Sequence, residues 1–217
     1  GKAQFVEIYE GISVGVLDRD DAANPYRTWT HVFVPYCTGD LHGGDKVATY
    51  VSGGITRQWH HMGATNAALA RARLAATFPK PDRLVVSGLS AGGYGATLQY
   101  ALMREAFDPT TSMLVDDSGP FLIGDAMPAT MRDAWFTQWR LDHVVDPVCG
   151  QDCKASLATL YTKLAARYPD DRMALVSSLQ DETIAAYMVM LQPALEVALR
   201  QLASEVLAPL PRFHTFF

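Results

Sequence analysis

Along the chain, apolar residues gather into short continuous runs separated by longer stretches of helical character. The runs are THVFVPY (30–36), RLVVSG (83–88), SMLVDDSG (112–119), RMALVSS (172–178) and PRFHTFF (211–217). Each is rich in β-branched, aromatic or other apolar residues and is bounded by turn formers or polar residues. Each therefore predicts a strand, and Pro35 ends the first. Between them, alanine, leucine and arginine over 58–78 predict a helix. Further helices are predicted over 92–107, 129–141, 153–168 and 181–206, with residues 1–29 irregular and 37–56 a polar, glycine-rich loop.

Continuous apolar strands alternating with helices imply an α/β fold, a mostly parallel sheet with helices on both faces. The 217 residues suit one domain. The expectation is a single domain over 1–217, with 120–170 as a cap or insert region. Ligands of such sheets bind beyond the carboxyl ends of the strands. The unusual loops PYCTGD, GLSAGG, DDSGP and SSLQDE all fall at such ends.

Composition narrows the classes. Hydrophobic residues make up 49% and charged residues 19%, which suits a packed core. The net charge is −5 with no basic block, which argues against nucleic acid as partner. No apolar run reaches the ~20 residues a membrane-spanning helix needs. The chain opens GKAQF, so a processed or trimmed N-terminus is expected. Nothing in the pattern sets an oligomeric state. Of three cysteines, Cys149 and Cys153 lie close in VCGQDCK and Cys37 stands apart. The close pair can be a disulfide, half a metal site or two thiols. The disulfide is favoured, because no second ligand pair for zinc is present.

Candidate chemistry centres on Gly88-Leu89-Ser90-Ala91-Gly92, a G-x-S-x-G pattern between a predicted strand and a predicted helix. In that setting a serine sits at an unfavourable backbone angle so that its Oγ projects from the sheet. Small residues two before and two after let strand and helix approach. The Ala91 amide, at the helix start, is placed to donate to an oxyanion. The bland alternatives are a phosphate-binding turn, which lacks the required lysine, or a plain connection.

A serine nucleophile needs a base held by an acid, in the chain order Ser, acid, His. Asp181 follows the fourth strand and fits the acid, although it also suits a helix N-cap. Asp116 and Asp117 are the alternatives. Of six histidines only His214 follows Asp181, and it falls inside the last strand rather than after it. His214 is thus either the base or a strand residue, with a histidine beyond Phe217 as the other expectation. The adjacent His60 and His61 lack the i, i+4 spacing of zinc proteases, so a metal hydrolase is a distant reading. Trp135, Phe136 and Trp139 either line a cap or pack a helix on the core.

Four stretches, FVPYCTGDLHGGD, SGLSAGGYGA, VDDSGP and SSLQDET, resemble the pectin acetylesterase family when taken in order. The resemblance implies an α/β-hydrolase-like fold and an exported Ser-His-Asp carboxylesterase. It implies acetyl or other short acyl esters of a carbohydrate or small alcohol as substrate, with no metal or organic cofactor. It puts the nucleophile on Ser90, the acid on Asp181 and one oxyanion amide on Ala91. The family's glycine-rich oxyanion loop has no counterpart in 1–29. Gly43 and Gly44 of LHGGD are substrate-cleft residues that could supply the second amide. Members of the family also continue past the last strand to a loop histidine, and the two departures predict a chain trimmed at both ends. The other class of reading is a non-catalytic binding module, or a fragment without a complete triad.

Overall fold

The computed structural model describes residues 15–217. The chain divides into two compact units, the first ending at Pro35 and the second running from Tyr36 to Phe217. In the first, the described residues are turns built by short polar side chains. Asn24 Nδ2 donates to the carbonyls of Val16 and Asp18, at 3.0 and 2.6 Å, while the Asp18 carboxylate accepts from the amides of Asp20 and Asp21. The run 30–36 is irregular here rather than a strand. Strand propensity favours a pleated, half-covered surface, and Val32 and Phe33 stand 50% and 52% exposed.

The second unit opens with an antiparallel hairpin where a loop and a helix start were expected. Strand β1 (Lys46–Ser52) pairs with β2 (Ile55–His61) around Gly53-Gly54. Both glycines have positive φ, 57° and 77°, which a tight two-residue hairpin turn demands. Helix α1 (Gly63–Thr77) follows, shorter than the expected 58–78 because the strand occupies its first residues.

Four parallel strands form the main sheet. They are β3 (Arg83–Leu89), β4 (Thr111–Asp117), β5 (Arg172–Val176) and β6 (Phe213–Phe216), in that spatial order. The parallel sheet flanked by helices agrees with the fold class expected from the alternation. Helix α2 (Ala91–Phe107) joins β3 to β4 and packs on both. Helices α3 (Ala129–Trp139), α4 (Asp142–Cys149), α5 (Asp152–Ala155) and α6 (Thr159–Arg167) lie between β4 and β5. The Cys149–Cys153 disulfide joins α4 to α5, and Cys37 is free and exposed.

The long helix expected over 181–206 is interrupted. It forms α7 (Glu182–Tyr187), a turn, then α8 (Gln192–Leu202) continued by a π-type turn at Ala203–Leu207. Pro193 sits at the start of α8, where its missing N–H costs nothing. Leu98, Tyr100, Leu114, Leu164, Leu175 and Leu199 are buried in one core around the sheet. Burying each leucine contributes about 1.5–3 kcal/mol. No helix among the described residues is long and apolar enough to cross a membrane.

Candidate active site

The carboxyl ends of β3, β4 and β5 carry the candidate residues. At the end of β3 the backbone turns sharply at Ser90, with φ 56° and ψ −117°. A non-glycine residue with positive φ is strained, and such strain persists only where the surroundings over-determine it. The surroundings here are specific. The Ser90 amide donates to the Asp117 carbonyl at 2.7 Å, and the Ser90 carbonyl accepts from Gly93 and Tyr94 as α2 begins. A Cβ on Gly88 would land on the Gly92 carbonyl and come within 2.8 Å of the Gly92 Cα. Strand and helix therefore meet at van der Waals limits on either side of the serine. Gly92 itself faces open space, so the small-residue requirement rests on Gly88.

The first turn of α2 is equally crowded on its inner side. A Cβ on Gly93 would lie 2.5 Å from Asp116 Oδ1 and 2.6 Å from the Asp117 carbonyl. Asp116 is fully buried. Its Oδ2 accepts from Thr97 Oγ1 at 2.8 Å and from the Tyr161 hydroxyl at 3.2 Å. Burial raises its pKa from 3.8 to about 7, against the hydrogen bonds from Thr97, Tyr161 and the Gly119 amide, while Asp117 adds to the rise.

Asp181 lies in the loop after β5 and is the N-cap of α7, its Oδ1 accepting from the Ile184 amide at 2.9 Å. The ends of β3 and β5 are two inter-strand spacings apart, about 10 Å. Tyr94 is buried beside this gap. Burial raises its pKa well above the ordinary value, and the charges of Asp116 and Asp181 add to the effect. Its ring packs against Phe121, Trp135 and Tyr187.

His214 lies elsewhere. It pairs with Ala174, which pairs with Val115, which pairs with Ser87. Three inter-strand spacings, about 14 Å, separate it from β3 at a level below the serine. Among the described residues no hydrogen bond joins a histidine to the Ser90 hydroxyl. The sheet therefore brings Ser90, Ala91 and Asp181 to one edge and leaves His214 off it.

The LHGGD loop also departs from expectation. The Gly43 amide is spent on the Asp40 carbonyl at 2.9 Å, which closes a turn and removes it as an oxyanion donor. Gly44 is pressed onto Asp40 and His61. Asp40, fully buried, accepts from Thr38 Oγ1 and from the Gly63 amide, both at 2.7 Å. It thereby folds the loop onto the start of α1. The residue this loop aims at α2 is His42, whose ring packs on Gly95, one turn along from Ala91. Burial lowers the His42 pKa, while Asp40 opposes the shift. Its ring lies 5.0 Å from that of Tyr36. His61 is taken up by the Tyr50 hydroxyl and the Thr38 carbonyl, at 2.8 and 3.0 Å. Trp135 and Trp139 are buried and stacked, so they pack the core rather than line an open cap.

A parallel sheet with a strained serine between strand and helix defines an α/β-hydrolase fold. A model of the family described as pectinacetylesterase matches residues 9–190, and the chain belongs to that family. Two solved structures are similar, both of the Wnt deacylase Notum from Drosophila. One crystal form is 18% identical, with a TM-score of 0.64, over 94% of this chain and 63% of that one. The other is 19% identical, with a TM-score of 0.56, over 84% and 56%. This chain thus spans less than two thirds of the Drosophila protein's length. No curated protein matches.

Proposed function

We propose that this chain is a serine carboxylesterase that removes acetyl or another short acyl group from a carbohydrate or small alcohol. The backbone of Ser90, with φ 56° between β3 and α2, carries the reading. Ser90 Oγ attacks the ester carbonyl. A histidine takes its proton and returns it to the leaving alcohol. Asp181 orients that histidine and stabilises its charged form. The Ala91 amide is one oxyanion donor, and losing a donor of this kind typically slows turnover ~10²–10³-fold. The chemistry calls for no metal or organic cofactor. The family match and the Cys149–Cys153 disulfide favour an exported protein, secreted or periplasmic.

A second reading, an ester-binding module without turnover, is favoured by the position of His214, three strands from β3. One experiment separates the two. The protein is treated with a fluorophosphonate, with and without added imidazole, and any adduct is located by peptide mass spectrometry beside Ser90→Ala. Labelling of Ser90 that vanishes in the variant supports the esterase. Labelling only with imidazole supports a scaffold whose base is missing. No adduct on folded protein under either condition overturns the esterase.

Asp181→Asn sharpens the assignment further. Asparagine caps a helix as well as aspartate does, so the melting temperature stays within a degree or two. Turnover is expected to fall ~10⁴-fold, because the imidazole loses its orienting charge. Unchanged turnover in Asp181→Asn would remove Asp181 from the mechanism.

A further inference from the structure

We propose that Asp116 is a positioning residue, a buried strut that holds the first two turns of α2, and with them Ser90, against the end of β4. The inference rests on the esterase reading of Ser90. Asp116 sits on the more buried face of β4, in line with Ser112 and Leu114, and beside Leu175 of β5. An apolar side chain would fill such a place at no desolvation cost, whereas a buried carboxylate is expensive unless donors converge on it. Here they converge from separate elements. Thr97 Oγ1 comes from α2, two turns below the serine, and the Tyr161 hydroxyl from α6. The Tyr161 hydroxyl in turn accepts from the Phe121 amide at 3.1 Å, in the loop that follows β4. The carboxylate is therefore the common point of helix, loop and second helix.

Its other oxygen bears on the nucleophile turn directly. Asp116 Oδ1 is 2.5 Å from where a Cβ on Gly93 would stand, and 2.5 Å from where one on Gly119 would stand. Two glycine Cα atoms, one on α2 and one on the loop, thus close around the carboxylate. The next residue along β4, Asp117, receives the Ser90 amide. Strut and nucleophile backbone are anchored one residue apart on one strand. A rotation of α2 about its axis would move Ser90 Oγ and the Ala91 amide together relative to a bound ester. A misplacement near 1 Å at such a centre costs on the order of 10²-fold in rate. Asp116 touches no reacting atom in this arrangement and acts through α2.

The test uses Thr97, because Asp116 variants can fail to fold. Thr97→Val removes the donor and keeps the shape, and Thr97→Ser restores the donor. Three readouts are taken on the intact protein. They are fluorophosphonate labelling of Ser90, kcat and KM on p-nitrophenyl acetate, and amide hydrogen exchange of residues 92–94. Thr97→Val is expected to label ~10-fold more slowly or worse, with kcat reduced, KM unchanged and faster exchange at 92–94. Thr97→Ser is expected to return all three to within about twofold of wild type. Wild-type labelling, turnover and exchange in Thr97→Val would overturn the strut. So would a loss in Thr97→Val that Thr97→Ser does not repair. If the wild-type protein takes no label, the esterase reading fails, and exchange still decides the strut. Faster exchange repaired by serine upholds it, and unchanged exchange ends it.

Discussion

The nucleophile turn and the β1–β2 hairpin are both built on glycine, for opposite reasons. At Gly53 and Gly54 the requirement is a dihedral angle. Both have positive φ, and nothing lies within 4 Å of where a Cβ would go. At Gly88 and Gly119 the requirement is space, because backbone atoms of the neighbouring segment occupy the place a Cβ would take. The hairpin turn meets no neighbouring segment at its glycines, and Val51 and Ile55 beside it are mostly exposed. The nucleophile turn exists only through the close approach of β3, α2 and the loop after β4. Strain at Ser90 is thus held by packing, while the positive φ of the hairpin turn is met by its two glycines.

The comparison can be broken by substitution. Gly88→Ala carries the largest expected effect. Overpacking against backbone costs about 3 kcal/mol or more, so the variant is expected to be poorly folded or to melt far below wild type. Gly53→Ala places a side chain at positive φ with free space around it, and about 1 kcal/mol is expected. Equal losses in chemical denaturation at the two positions would erase the distinction drawn here. Val189, outside both regions, is β-branched with φ 58° and is 82% exposed, so it carries strain without a steric partner. Val189→Gly is expected to stabilise by up to about 1 kcal/mol. Gly92→Ala is the smallest effect, within about 0.5 kcal/mol, since its Cβ would meet open space.

Acid and base sharpen the same contrast. Asp116 has its pKa raised by burial from 3.8 to about 7. Between those values the folded state holds a proton that the unfolded state has released. Its contribution to stability therefore falls as pH rises from about 4 to about 7 and is flat above. In Asp116→Asn that slope should disappear from denaturation midpoints measured across the range. A slope that survives would assign it to another group. The hairpin contains no aspartate or glutamate.

Much of this was legible beforehand. The alternation of runs and helices gave the parallel sheet, and four of its strands fall where the runs lie. Ser90 was legible because its requirements are local, a glycine on one side and a helix on the other. Asp181 was legible as a residue after a strand. The hairpin lies where glycine and polar content suggest a loop, although Gly53-Gly54 between Val51-Ser52 and Ile55-Thr56 is a hairpin signal. The break at 188–191 was hidden by helix-forming residues on both sides, with Pro193 as the one available mark. The case of His214 is different. Chain order allowed it, and only the register of β6 against β5 shows how far it lies from β3. Asp116 is a candidate acid by its place after a strand, but its role depends on the hydroxyls of Thr97 and Tyr161, which no spacing rule connects.

The tryptophans give the molecule two built-in optical reporters. Trp135 and Trp139 stack with ring centroids 5.0 Å apart and planes 14° apart, inside the core. Two indoles so placed should couple electronically and give a split band in circular dichroism that disappears when α3 loosens. Trp59 on the hairpin is 49% exposed and, in a Trp29→Phe background that removes the fourth tryptophan, should emit at longer wavelength, open to quenching by iodide. If the coupled band and the quenchable emission change at one denaturant concentration, hairpin and core unfold as a single cooperative body. If the emission changes first, the hairpin is a separate, weaker unit hinged on a persistent core.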